Sequence, residues 1–326
     1  MPSSPPKIAP ASELPLPAPL REEARRYQRS ARAENTLRAY RTSLAAFTAW
    51  CADHGRESMP AHPTTIAAFL ADQAAAGRAP STVSLRAAAI AFAHRTNGLP
   101  SPCDAAEVAE TLRGIRRHRA LARQPTKRAA ALTVERLAAC ISTLDGETLR
   151  GKRDAALLTL GFALGARRSE LVALDLSDVV DNGSGLHVTI HRGKTDQIGE
   201  GAELYVPLAS NPQLCAVRAV RSWLMASGLT EGALLRSIVG RSGVRDRLTD
   251  RSVDLVVRRC AKRAGLDADG RYSAHSLRAG LVTTLAERGR TEVEIMRQSR
   301  HKSSAMVRSY TRPLDAKQGC PLRGAF

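Results

Sequence analysis

Residues 275–312 read HSLRAGLVTTLAERGRTEVEIMRQSRHKSSAMVRSYTR, and this stretch orders the rest of the chain. His275 and Arg278 stand three residues apart at the start of a helical pattern over about 276–288, so their side chains share a face. A second helix fits about 291–299. Arg300-His301-Lys302-Ser303 forms its junction with a third, over about 303–310. Tyr310 follows nine residues after His301. Two histidines, an arginine and a late tyrosine therefore sit on three short consecutive helices.

Moving towards the N-terminus, helices fit about 249–264 and 213–227. Before them come short alternating or β-branched runs at Asp178–Val180, Leu186–His191 and Glu203–Pro207, parted by Asn182-Gly183 and Gly193. They predict a small antiparallel sheet of about three strands, with Gly193-Lys194-Thr195 in one of its turns. Gly165-Ala166-Arg167-Arg168-Ser169-Glu170-Leu171 follows a long apolar helix over Lys152–Leu164, and Thr133 opens a capped helix before that. Residues 132–326 thus read as one domain, mainly helical with an inserted sheet.

Residues 21–119 read as a small helical bundle. Leu37, Tyr40, Leu44 and Phe47 make an apolar stripe with Asn35 as its cap. Further helices fit His62–Ala76, Ser81–Arg95 and Asp104–His118, with Pro63 and Pro80 near their starts and Gly77 and Asn97-Gly98 at their ends. Residues 1–20 hold seven prolines and read as a disordered tail. Arg113, Arg116, Arg117, Arg119, Arg123, Lys127 and Arg128 crowd a segment without any acid, passing from a helix end into a basic linker over 120–131.

The 326 residues carry a net charge of +18, which calls for an anionic partner, nucleic acid before membrane. The longest apolar run, about Ala155 to Ala166, is far short of the ~20 residues that a span needs and reads as a buried helix. Residues 1–20 hold no secretory signal. The six cysteines form no CxxC pair or zinc spacing and read as reduced thiols of a cytoplasmic protein. No carboxylate cluster fit for Mg²⁺ and no Gly-rich phosphate loop accompanies the polar segments, so neither metal, nucleotide nor other cofactor is expected.

In order, these segments supply an arginine in a G-x-R-x-S-E-L setting, a β-turn lysine, H-x-x-R, a late histidine and a C-terminal tyrosine. The set resembles the tyrosine recombinase family of phage integrases and Xer-type recombinases, over roughly residues 22–312. The resemblance implies a SAM-like core-binding domain followed by a catalytic domain, closing as a clamp on double-stranded DNA. Four protomers on two DNA sites, aided by DNA-bending or directionality proteins, would work in the cytoplasm at the nucleoid. It further implies that Tyr310 forms a 3′-phosphotyrosyl intermediate, with His275 as its base.

The chemistry of the side chains agrees. Phosphoryl transfer builds negative charge on the non-bridging oxygens, and Arg167 and Arg278 each offer a planar fork of donors to them. His301 can add a donor, Lys194 can protonate the leaving 5′-oxygen, and Glu170 can orient the basic cluster. Arg168 reads as the variable neighbour of Arg167. Taken singly, His275 could cap its helix, Arg278 could pair with Glu287 or Asp267, and His301 could be a core histidine. The ordered set argues against all three. Two rivals share the fold: a DNA-binding architectural protein without catalysis, and a strand-passage enzyme of the type IB topoisomerase kind. One departure stands out, since Gln298-Ser299-Arg300 precedes His301 where many relatives carry a Leu-Gly pair.

Overall fold

The computed structural model describes residues 32–122, 129–191, 201–266 and 271–310, with scattered positions between 17 and 27. Most of the expected tail and linker, including Arg123, Lys127 and Arg128, lies outside the described residues, as does Lys194. The chain divides into two units, Met1–Thr126 and Lys127–Phe326.

Four helices build the first unit: α1 (Glu34–Asp53), α2 (Pro63–Ala75), α3 (Pro80–Thr96) and α4 (Ala106–Leu121). Pro63 and Pro80 stand at first helical positions, where a missing N–H costs no hydrogen bond. Phe47, Ile66, Phe69, Leu70, Val83, Ile90 and Val108 interlock as the core. One polar ring enters it. His94 accepts from the Ala61 amide at 2.9 Å, and its other nitrogen bonds the Ile90 carbonyl at 2.8 Å. Asn35 is not the cap of α1, because the helix already begins at Glu34 with Ala33 before it. Nor does α4 stop at His118. It runs to Leu121, so Arg113, Arg116, Arg117 and Arg119 are helical residues. Arg116 donates to Ser84 Oγ at 3.1 Å and Arg119 to the Arg78 carbonyl at 3.3 Å.

The second unit holds α5 (Val134–Ser142), α6 (Leu149–Ala163), α7 (Arg168–Ala173), β1 (Val179–Asp181), β2 (Gly185–Ile190), β3 (Ala202–Pro207), α8 (Ala216–Ser227), β4 (Arg236–Val239), β5 (Gly243–Arg247), α9 (Asp250–Arg263), α10 (His275–Glu287) and α11 (Glu292–Ser299). Residues 304–310 are again helical, as α12. The expected three-stranded sheet is present, in the order β1-β2-β3 and antiparallel throughout, with His187 opposite Tyr205 and Ile190 opposite Ala202. A second hairpin, β4–β5, was not legible in the sequence; its four- and five-residue strands are charged and only half covered. Thr133 precedes α5 as expected, but its hydroxyl turns to Glu135 instead of capping the helix.

The apolar run of α6 is a core helix, as its composition suggests: Ala156, Leu157, Leu158 and Leu160 are fully covered, and α8 and α10 pack against it. Trp223 fills the same core and donates its indole N–H to the Leu234 carbonyl at 2.8 Å. Chain segment 129–132, expected to straddle the linker end, already belongs to this unit. The Ala130 and Leu132 amides donate to the Arg271 and Ser276 carbonyls at 2.9 and 3.0 Å. That contact is close: a Cβ on Gly280 would lie 1.9 Å from the Leu132 carbonyl oxygen. Beside the core Asp154 is buried and bonds two arginines, Arg153 at 2.6 Å and Arg259. Arg153 also donates to the Arg236 carbonyl at 2.9 Å, so α6, α9 and β4 are joined through one carboxylate. No helix among the described residues is long and apolar enough to cross a membrane.

Candidate active site

Helix α6 ends at Ala163, and the chain turns through Gly165 into α7. Gly165 has φ +53°, a conformation that favours glycine, and a Cβ there would come within 2.8 Å of the Leu281 side chain, which would have to shift. A helix end leaves its last carbonyls without backbone donors. Here three successive carbonyls are taken by side chains from far along the chain. Gln298 donates to Ala163 at 2.8 Å, Arg300 to Leu164 at 2.9 Å and Arg278 to Gly165 at 2.7 Å. Two of the donors are cations at a helix C-terminus, where the helix dipole favours them.

The turn after Gly165 presents Arg167. Glu170 sits at the third position of α7 and reaches back to the Arg167 amide at 2.9 Å, which fixes the helix start. The same carboxylate pairs with the Arg167 guanidinium and, at 2.8 Å, with Arg300. Burial pushes the Glu170 carboxyl upward, but the Arg167 amide and the Arg300 and Arg167 guanidinium groups outweigh it and hold it below the ordinary carboxylate value. Arg168 points elsewhere, exposed and 3.2 Å from Asp250.

Arg278 is buried on α10. Besides the Gly165 carbonyl it donates through Nε to His301 Nε2 at 3.3 Å, while its Nη2 is buried without a hydrogen-bond partner. Glu287 is not among these partners, and Asp267 lies outside the described residues. Desolvation, then the neighbouring Arg167 charge, brings its pKa down to about 10.

His301 is buried as well. An arginine Nε–H can only donate, so His301 Nε2 accepts and its proton sits on Nδ1. Nδ1 lies 2.7 Å from Ser299 Oγ, which itself donates to the Ile295 carbonyl. The ring is therefore neutral and fully bonded. Burial, reinforced by the charges of Arg278, Arg167, His275 and Arg300, pulls its pKa down to about 4. In this arrangement His301 orients Arg278 and has no hydrogen left to offer.

His275 opens α10, one turn from Arg278. Its Nε2 lies 2.6 Å from Tyr310 Oη. Partial desolvation and the Arg278 and Arg167 charges lower its pKa, which keeps the ring neutral at neutral pH and able to accept a proton. Tyr310 ends the described part of α12. A small satellite core of Val282, Ile295 and Val307 seats that helix, with Tyr310 packed against it, 5.9 Å from the His301 ring between centroids.

Arg167, Glu170, His275, Arg278, His301 and Tyr310, 143 positions apart at the extremes, thus meet in one cluster. Lys194 belongs to the connection between β2 and β3, outside the described residues. Sequence reasoning missed Gln298, Ser299 and Arg300. The departure from a Leu-Gly pair at these positions is the signal in the sequence that points to them.

The profile described as "Phage integrase family" matches residues 130–317, and that described as "Phage integrase, N-terminal SAM-like domain" matches residues 26–94. The chain is 35% identical over 292 residues to the integrase/recombinase xerD homolog of Selenomonas ruminantium, covering 88% of this chain and 84% of that one. Its fold is similar to that of lambda integrase, solved as a tetramer bound to a Holliday junction (TM-score 0.58, 19% identity, 89% of this chain and 76% of that one). It is similar also to that of the XerH site-specific recombinase bound to a palindromic difH substrate after cleavage (TM-score 0.55, 16% identity, 78% and 71%).

Proposed function

The chain belongs to the phage integrase family of tyrosine recombinases, enzymes that cleave and rejoin DNA at specific sites, and on that premise we propose that Tyr310 is its nucleophile, acting within the cluster around Arg278. The observation that carries this reading is the 2.6 Å hydrogen bond from Tyr310 to His275 beside a buried guanidinium with an unbonded Nη2.

A free phenol has a pKa near ~10 and is a weak nucleophile until it loses its proton. His275 Nε2 takes that proton. Tyr310 Oη then bonds to phosphorus, and the bond from phosphorus to the 5′-oxygen breaks. Lys194 returns a proton to that oxygen, which leaves as a 5′-hydroxyl. The extra charge on the non-bridging oxygens meets Nη2 of Arg278 and the free side of Arg167. Glu170 and His301 are positioning residues for these two arginines. Religation reverses the steps with a 5′-hydroxyl from another strand. One phosphodiester is exchanged for one phosphotyrosine, so the chain's own side chains suffice to balance the reaction.

The partner is double-stranded DNA, and the working assembly is a tetramer on two sites, in keeping with the lambda integrase tetramer on a Holliday junction. The run of Arg113, Arg116, Arg117, Arg119, Arg123, Lys127 and Arg128, which has no acid in it, supports assigning these residues to the phosphates of the DNA. Phosphate contacts release counterions without reading bases. Changing Arg119, Arg123, Lys127 and Arg128 to Gln should therefore weaken binding to any duplex and flatten the slope of log K against log salt by roughly two to four. A salt series on target and non-target DNA measures this, and an unchanged slope refutes the placement.

The target is found by sequencing recombinant junctions in cells that express the chain beside its own flanking DNA. A nicked duplex carrying that junction then traps the covalent intermediate. Tyr310→Phe should bind this duplex as the wild type does and leave no protein–DNA adduct after denaturation. An adduct at the wild-type level would remove Tyr310 from its role.

A further inference from the structure

Among the described residues Arg300 is the one non-glycine residue with positive φ, at +55°, a left-handed conformation that glycine adopts without strain. An arginine standing there has to be held by its side chain, and the contacts are specific. Nη1 donates to the Leu164 carbonyl at 2.9 Å, and Nη2 pairs at 2.8 Å with the carboxylate of Glu170, the group that also sets the Arg167 amide and guanidinium. The side chain is 15% exposed and that of Glu170 is 1% exposed, so the pair is largely withdrawn from solvent.

These contacts have a direction. Arg300 immediately precedes His301, which orients Arg278, while Glu170 and Leu164 belong to the turn that presents Arg167. Without Arg300 the two phosphate-facing arginines would be joined only through the single bond from Arg278 to the Gly165 carbonyl and through Gln298 on Ala163. Arg300 also shares Glu170 with Arg167. With two guanidinium groups on one carboxylate, Arg167 is not neutralised by its own neighbour.

We propose that Arg300 is a positioning residue for strand cleavage, bridging the His301 turn to the Glu170 carboxylate so that Arg167 and Arg278 are held at a fixed separation around one phosphate. The inference rests on the tyrosine recombinase reading above. It assigns to Arg300 no contact with DNA.

Full-length wild type and the variants Arg300→Gly, Arg300→Lys, Glu170→Gln and Glu170→Gln/Arg300→Gly are compared by single-turnover cleavage of the nicked junction duplex, with binding measured separately. Glycine suits the backbone at 300, so this variant keeps the turn and loses only the bridge. Arg300→Gly should lower the cleavage rate constant at saturation roughly 10–100-fold, the cost of a catalytic group misplaced by a fraction of an ångström to an ångström. Its DNA affinity should stay within about twofold. Lysine, which restores charge but not the two-pronged reach, should recover part of the rate. If Arg300 acts through Glu170, the double variant should be slowed by less than the product of the Arg300→Gly effect and that of Glu170→Gln alone, since Glu170 also holds Arg167 directly. Cleavage by Arg300→Gly at the wild-type rate overturns the proposal, as does a loss confined to DNA affinity. A wild-type chain that forms no adduct overturns the recombinase reading and this inference with it, whereas a wild-type adduct with an unimpaired glycine variant overturns the inference alone.

Discussion

Among its described residues the second unit buries two carboxylates, each clasped by two arginines, and they differ in their surroundings. Asp154 bonds Arg153 and Arg259, and Arg153 spends a further donor on the Arg236 carbonyl. That cluster joins α6, α9 and β4, although Arg259 is a third exposed and keeps a buried Nε without a partner. Glu170 bonds Arg167 and Arg300 in the same way, but a third guanidinium, Arg278, stands beside it with Nη2 unbonded, near the rings of His275, His301 and Tyr310. Three arginines against one carboxylate leave two positive charges uncompensated around Glu170, against one around Asp154. Each cluster keeps one buried guanidinium nitrogen without a partner, Arg259 Nε in one and Arg278 Nη2 in the other, so what separates them is the larger excess of positive charge around Glu170. Desolvating a guanidinium without a full set of partners is unfavourable for folding. On the reading proposed above, a DNA phosphate offsets that cost at the Glu170 cluster.

Separating the two clusters by mutation is the largest test. Asp154→Asn strands two arginines in the core and should reduce stability by about 3–5 kcal/mol in a denaturant titration, while cleavage per folded molecule is unchanged. A slowed but stably folded enzyme would mean that the Asp154 cluster also serves the reaction. Arg278→Gln should do the reverse. Cleavage should fall about 10²–10³-fold, as when one preorganised donor is lost, with stability near that of the wild type. A large loss of stability instead would make Arg278 a structural group like Arg153.

The smaller test uses pH, because the Glu170 side holds a buried neutral histidine. His301 has a folded pKa of about 4, against an ordinary value of 6.5. Between these values the unfolded chain binds more protons than the folded one. Stability therefore falls as pH drops from 6.5 towards 4 and levels off below. His301→Gln should remove up to about 3 kcal/mol of that acid-side loss, read as a flatter plot of unfolding free energy against pH. A plot as steep as that of the wild type would place the titration in other groups.

His275 and Arg278 were legible because a three-residue spacing on a helix is a local fact, and Tyr310 because its distance from His301 spans only one turn and one short helix. The sheet was legible for the same reason, from alternating runs and the turn at Asn182-Gly183. What the sequence hid is long-range. The bond from Arg278 to the Gly165 carbonyl joins residues 113 positions apart, and no local pattern carries it. The helix pattern around Asn35 admitted several starting points, and the chain used an earlier one. The β4–β5 hairpin escaped because its strands are short and polar. The partners of His301, Arg278 on one ring nitrogen and Ser299 on the other, could not be read from spacing alone. Arg300 was visible as an oddity whose meaning needed a backbone angle.

The three side chains that gather on the last carbonyls of α6 tie the reaction to the length of that helix. Adding one residue inside α6 would rotate its end by about 100° and move it about 1.5 Å. Ala163, Leu164 and Gly165 would then leave Gln298, Arg300 and Arg278 together. Substitutions along α6 trade one packing contact at a time, but an insertion there has no partial outcome. The reading frame of a buried helix thus acts as the ruler by which the active site is set. Variation in this chain is expected to reach that helix through changes of residue, and to reach changes of length only in the connections beyond it.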